Sequence, residues 1–168
     1  MEKCALRIIT LLLSMLLLAG CSSMQQSIHD AAINYETSAA GLESQELTFE
    51  YGELSILRTP ELRENRQTLI LVHGFGANKD NWLKLAQQLE GKYNIVAPDL
   101  PGHGDSVQDP GLAYGIPRQA QRLMQLLDRL DIEHAHLAGN SMGGAIVAVA
   151  AAEYPARVTS LSLLNNAG

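Results

Sequence analysis

The sequence predicts an α/β fold: a mostly parallel sheet with flanking helices. Three observations carry that expectation. Short apolar runs at 68–72, 93–97, 135–138 and 158–164 alternate with helical segments, the pattern of strands joined by crossover helices. The run Thr68-Leu69-Ile70-Leu71-Val72 is close to uniformly apolar, which suits a strand buried on both faces of a parallel sheet. The stretch Leu137-Ala138-Gly139-Asn140-Ser141-Met142-Gly143-Gly144 reads as a strand, a sharp turn with serine at its apex, and a helix.

From the N-terminus, Lys3 and Arg7 precede an apolar stretch at 8–18, which is signal-like and too short to span a bilayer comfortably. It ends in Leu18-Ala19-Gly20-Cys21, with small residues where a peptidase would cut. This segment resembles the bacterial lipobox. The resemblance implies a signal peptide over 1–20, a lipidated Cys21 as the mature N-terminus, and a lipid anchor in the cell envelope. Ser22 rather than aspartate after the cysteine implies the outer membrane. Residues 21–45 then read as a polar tether with a short helix at 28–35, and 46–168 as the N-terminal part of the folded domain.

Residues 47–51 and 54–57 alternate apolar and polar and predict an antiparallel hairpin with Gly52 near its turn. Trp82, Leu85, Ala86 and Leu89 recur at helical spacing, predicting a surface helix over 79–89 with Trp82 in the core. Pro117 fits the first turn of a helix over 116–130, whose apolar stripe is Leu123, Leu126, Leu127 and Leu130. The charges of 128–131 read as its solvated end. The alanine-rich run 145–154 predicts a buried helix stopped by Pro155, and 158–164 a sixth strand.

Composition narrows the function classes. The formal net charge of -6 argues against a basic nucleic-acid-binding face, and 46% apolar residues argue against disorder. The two cysteines are Cys4, lost with the signal, and Cys21, so no thiol is left for a disulfide or a metal site. Neither a Walker loop nor G-x-G-x-x-G occurs, and no histidine–carboxylate cluster has metal spacing. No cofactor and no metal is expected.

The chemistry centres on Ser141. A serine hydroxyl is a poor nucleophile without a base beside it and open space before it, and a strand-to-helix bend lifts it clear of the sheet. Strand and helix then run so close that Gly139 and Gly143 must stay small. After the first buried strand, His73-Gly74-Phe75-Gly76 forms a loop whose Gly74 and Gly76 let the backbone turn and approach a ligand. The backbone amides of Phe75 and Met142 are the expected oxyanion hole, a term worth about 2.7–4 kcal/mol per donor. The Phe75 ring is expected to line an acyl pocket.

With Pro98-Asp99-Leu100-Pro101-Gly102-His103-Gly104-Asp105-Ser106 between loop and bend, the three motifs in this order resemble the α/β-hydrolase superfamily. The string His73-Gly74-Phe75-Gly76-Ala77-Asn78-Lys79-Asp80-Asn81-Trp82 looks most like bacterial lipases and esterases of the cold-active type. The similarity covers roughly 46–168. It implies an α/β-hydrolase fold and a serine hydrolase of small acyl esters or lipids; the membrane attachment through an N-terminal lipid is implied by the lipobox resemblance alone. Within the superfamily the alternatives are carbon–carbon, peptide or peroxide chemistry; a non-catalytic lipid-anchored envelope protein is a different class.

The superfamily's triad runs Ser, then Asp or Glu, then His. No histidine follows Ser141 here, and Glu153 is the plainest ionisable group after it. The resemblance puts the acid after a seventh strand and the histidine after an eighth, so the chain is expected to be a piece of a longer enzyme, truncated after about the sixth strand. His29, His73, His103, His134 and His136 are poor candidates for the base, and Asp99 and Asp105 are expected to brace loops. Alone, the piece is expected to lack turnover and to aggregate through its last strand.

Overall fold

The computed structural model describes residues 24–166, so the expected signal peptide and Cys21 lie outside the described residues. The chain divides into two units, Met1–Glu36 and Thr37–Gly168. Residues 24–39 are helical (α1), longer than the sequence's short helix at 28–35. Glutamine, alanine and glutamate at both ends of that window favour helix, and Gln26 Nε2 reaches Asp30 Oδ1 one turn on, at 2.8 Å. The first strand starts at Glu43, inside the stretch read as tether.

The second unit is a six-stranded sheet of order β1-β2-β4-β3-β5-β6. The strands are β1 (Glu43–Phe49), β2 (Gly52–Arg58), β3 (Thr68–Val72), β4 (Asn94–Pro98), β5 (Ala135–Asn140) and β6 (Val158–Leu164). β2 runs antiparallel to both β1 and β4, and β3 to β6 are mutually parallel. The expected hairpin is present, with Phe49 opposite Gly52. Gly52 has φ +119, and a Cβ there would meet the Val107 side chain, so both conformation and space require glycine.

The central strands are apolar because helices cover the sheet. Ile70, Leu71, Val72, Val96 and Leu137 are fully buried, with α4 (Met142–Glu153) packed over β5, β6 and β3 and α3 (Ile116–Arg129) packed against α4. α3 buries its predicted stripe at Leu123, Leu126 and Leu127. α4 begins at Met142, three residues before the alanine run, because the bend at Ser141 leads straight into it. The single helix expected over 79–89 is broken: Lys79–Trp82 is a 3-10 turn and α2 follows as Leu83–Leu89. The tight turn sits where Lys79 is tied through both its backbone N–H and its ammonium to Asp99. Among the described residues β6 pairs with β5 alone, and Leu161, Leu163 and Leu164 on it are exposed.

Candidate active site

β5 delivers the chain to Ser141, and Ser141 is bent. It has φ 51 and ψ -116, a left-handed conformation that costs a non-glycine residue about 1–3 kcal/mol. Three fixtures hold the bend. The Ser141 N–H donates to the Leu164 carbonyl at the end of β6 (2.9 Å), and the Ser141 carbonyl accepts from Gly144 N–H (3.0 Å). A Cβ on Gly139 would overlap the backbone of Gly143 and Gly144, and one on Gly143 would overlap the carbonyls of Val72 and His73. The two glycines are therefore there for close approach, as their place in the motif predicts.

The loop after β3 lies against this bend. A Cβ on Gly74 would sit 3.3 Å from both the Asn140 carbonyl oxygen and the Ser141 Cβ. Gly76 takes φ +68 in open space. Met142 is the first residue of α4, so its N–H belongs to the first-turn amides that lack an intrahelical partner. Phe75 is 82% exposed, its ring edge-on to His103 with centroids 5.6 Å apart. It packs on the loop rather than lining an enclosed pocket among the described residues.

His73 braces the loop from below. Its Nδ1–H donates to the Gly74 carbonyl (2.8 Å), and its Nε2 accepts from the Leu100 N–H (3.0 Å). The second bond requires a bare Nε2, so the ring is neutral and its tautomer is set. Burial pushes its pKa below the usual histidine value; the bond to Gly74 resists, and the nearby His103 adds to the lowering.

Beneath the loop is a buried ion pair. Lys79 Nζ lies 2.7 Å from Asp99 Oδ2 and 2.6 Å from Asp105 Oδ2. Asp99, fully buried, also accepts from the Lys79 N–H (2.6 Å) and the Asp105 N–H (2.9 Å). Burial alone would lower the Lys79 pKa; its hydrogen bonds to Asp105 and Asp99 and their charges outweigh it and raise the pKa. A Cβ on Gly104 (φ +51) would overlap the Asp99 carboxylate. Ser106 Oγ donates to the Asp99 carbonyl (2.8 Å) and accepts from the Ser55 N–H (2.9 Å), stitching the segment to β2. Asp99 and Asp105 thus brace loops, as the sequence suggests; the partner role of Lys79 had no local signal.

No described histidine is bonded to the Ser141 hydroxyl. Both nitrogens of His73 are engaged, and the His103 ring packs on His73 and Phe75. His136 bridges Ser160 Oγ (2.7 Å) and Gln67 Oε1 (3.0 Å). It stands near the start of β5, five residues and roughly 16 Å of strand from Ser141. Glu153 closes α4, roughly 18 Å from the bend at helical rise. Beside the bend is a cavity of about 200 Å³ lined by His73, Gly74, Asn81, Trp82, Asn140 and Asn165. Trp82 is buried there, yet its indole N–H has no hydrogen-bond partner among the described residues. Among the described residues, no group of three or more His, Cys, Asp and Glu could hold a metal ion.

A six-stranded sheet of this order, with a left-handed serine between strand and helix, defines an α/β-hydrolase. The family model for the alpha/beta hydrolase fold matches residues 67–167, and the chain belongs to that family. It is 36% identical over 156 residues to Lipase 3 of Moraxella sp. (strain TA144), covering 90% of this chain and 49% of that protein. Lipase 1 of Psychrobacter immobilis matches with the same figures. Among solved structures, a membrane phospholipase A described as a bacterial virulence factor superposes with a TM-score of 0.82 at 37% identity, covering 100% of this chain and 53% of that one. The chain spans about half the length of the curated relatives it matches. It is a lipase-like α/β-hydrolase.

Proposed function

We propose that this chain carries the nucleophile and oxyanion hole of a serine esterase acting on acyl esters of lipids, with Ser141 as nucleophile. The left-handed Ser141, wedged between two glycines that admit no side chain, is the observation that carries this reading. Such strain needs a reason to be kept, and lifting a hydroxyl clear of the sheet is one. Ser141 Oγ attacks the ester carbonyl carbon while a base takes its proton. The amides of Phe75 and Met142 hold the resulting oxyanion. Collapse expels the alcohol, which takes the proton back, and water then releases the acid from the acyl-serine. His73 keeps the loop in place and does not act as the base. No described histidine is bonded to the hydroxyl, and this reading takes the imidazole and its carboxylate from polypeptide outside the described residues. The printed names of the relatives, lipase and phospholipase, support ester bonds of lipids as the substrate class.

We further propose that Cys21 is lipidated and holds the protein at the envelope, at the outer membrane. Several acyl chains on one residue anchor firmly, at about 0.8 kcal/mol per buried CH₂. Labelling of the full-length gene product with a fluorophosphonate, alongside hydrolysis of a p-nitrophenyl ester, tests the catalytic reading. Both signals are expected and both vanish in Ser141→Ala. Ester turnover that survives Ser141→Ala overturns the assignment. Incorporation of radiolabelled palmitate, abolished by Cys21→Ser, tests the anchor.

A further inference from the structure

At the edge of the sheet away from β5, the β1–β2 turn and helix α3 border a second, open cavity of about 690 Å³. Its wall on α3 is built from Arg118, Arg122, Gln125 and Arg129, spaced four, three and four residues apart and so along one helix face. The opposite wall carries the stacked rings of Phe49 and Tyr51, centroids 5.0 Å apart.

Arg122 is the unusual member. It is 6% exposed, and among the described residues no carboxylate pairs with it. Its Nη1 donates to the Ala113 carbonyl (2.8 Å), and its guanidinium lies 4.9 Å from the Tyr51 ring centroid and 6.0 Å from that of Tyr114. Burial lowers its pKa; the Tyr51 hydroxyl opposes that, and the Arg118 cation reinforces it. A buried guanidinium without a counter-charge is costly, and buried charges are ordinarily paired. Of the two acids on the wall, Asp128 is already held by Arg157 at 2.7 Å, and Glu50 sits exposed at the turn. The Tyr51 hydroxyl is buried without a hydrogen-bond partner among the described residues, and burial lifts its pKa to about 12, so it remains a donor. Guanidinium forks match the oxygens of a phosphate, and the volume leaves room for the group esterified to it.

We propose that this cavity binds a phosphate ester, with Arg122 and the Tyr51 hydroxyl at its floor and Arg118 and Arg129 at its rim. The site is separate from Ser141 and from the esterase reading: β4 and β3 lie between β2 and β5. The phosphate belongs either to a phospholipid headgroup or to a soluble ester.

The test uses the full-length protein bearing Cys21→Ser, so that no acyl chain contributes to vesicle binding. One arm titrates glycerol 3-phosphate by calorimetry; the other sediments the protein with phosphatidylglycerol or phosphatidylcholine vesicles. Saturable glycerol 3-phosphate binding without vesicle preference assigns a soluble ester, and preference for phosphatidylglycerol assigns the lipid. Either signal is expected to weaken at least tenfold in the exposed pair Arg118→Gln/Arg129→Gln and in Arg122→Gln, with circular dichroism melts reporting the fold of each. Lys92→Gln, a charge removal away from the cavity, is expected to bind as the parent does. Absence of both signals in the parent, or undiminished binding in Arg118→Gln/Arg129→Gln, overturns the proposal.

Discussion

Replacing Lys79 with methionine removes one charge from the pair beneath the loop and keeps most of the side chain's bulk. The Lys79 and Asp99 side chains are 5% and 0% exposed, and their charged atoms are 2.7 Å apart. At an effective dielectric near 20 that attraction is about 6 kcal/mol, before the cost of desolvating both groups. Asp99 would keep two backbone donors, the N–H groups of Lys79 and Asp105, but lose its counter-charge. Breaking such a buried pair from one side costs about 3–5 kcal/mol. The Asp105 contact adds little, because that side chain is 75% exposed and exposed pairs are worth about 0–1 kcal/mol. Urea unfolding of the full-length protein at neutral pH is therefore expected to show Lys79→Met destabilised by about 3–5 kcal/mol. The double variant Lys79→Met/Asp99→Asn should recover much of the loss, since it leaves no charge stranded. The raised Lys79 pKa adds an alkaline signature. Its contribution is fully present below the ordinary value of 10.5 and fades as pH rises through the folded value, so the gap between parent and variant narrows there. A single variant within about 1 kcal/mol of the parent would refute the reasoning, because the pair would then behave as a surface contact.

Ser141→Gly is expected to raise stability by about 1 kcal/mol, relief of strain outweighing the flexibility of glycine, while abolishing fluorophosphonate labelling. Equal or lower stability in the same urea assay would remove the strain argument. Gly143→Ala is expected to cost about 3 kcal/mol or more, because its methyl group meets two backbone carbonyls that cannot step aside. Gly76→Ala, with open space but φ +68, should cost only about 1–2 kcal/mol, and a ranking in the other order contradicts the geometry. The lowered pKa of His73 makes its contribution complete above the ordinary value of 6.5 and lost as pH falls through the folded value. Relative to His73→Gln, the parent should lose up to about 1.4 kcal/mol per pH unit below 6.5; parallel stability–pH curves would exclude that linkage.

The parts of the site that were legible are those whose cause is local. The bend at Ser141 announces itself because strand, glycines and helix are contiguous, and the β1–β2 hairpin because its alternation and Gly52 lie side by side. What escaped depends on partners distant in sequence. The 3-10 turn at Lys79 follows from a carboxylate twenty residues on, and the two bonds of His136 come from Gln67 and Ser160 on other segments. The arginines of α3 recur at helical spacing too, but a charged stripe is the ordinary solvent face of an amphipathic helix, so the spacing alone does not mark Arg122 as buried. The placement of β2 beside β4 rather than β3 has no signature in either strand.

That placement bears on how a ribosome can release the chain. β3 is made directly after β2, yet both its neighbours, β4 and β5, are made later. Neither of its edges has a partner until residue 98 has emerged for one and residue 140 for the other. Vectorial synthesis cannot lay this sheet down in strand order, and an apolar strand with open edges is exposed to mispairing through that interval.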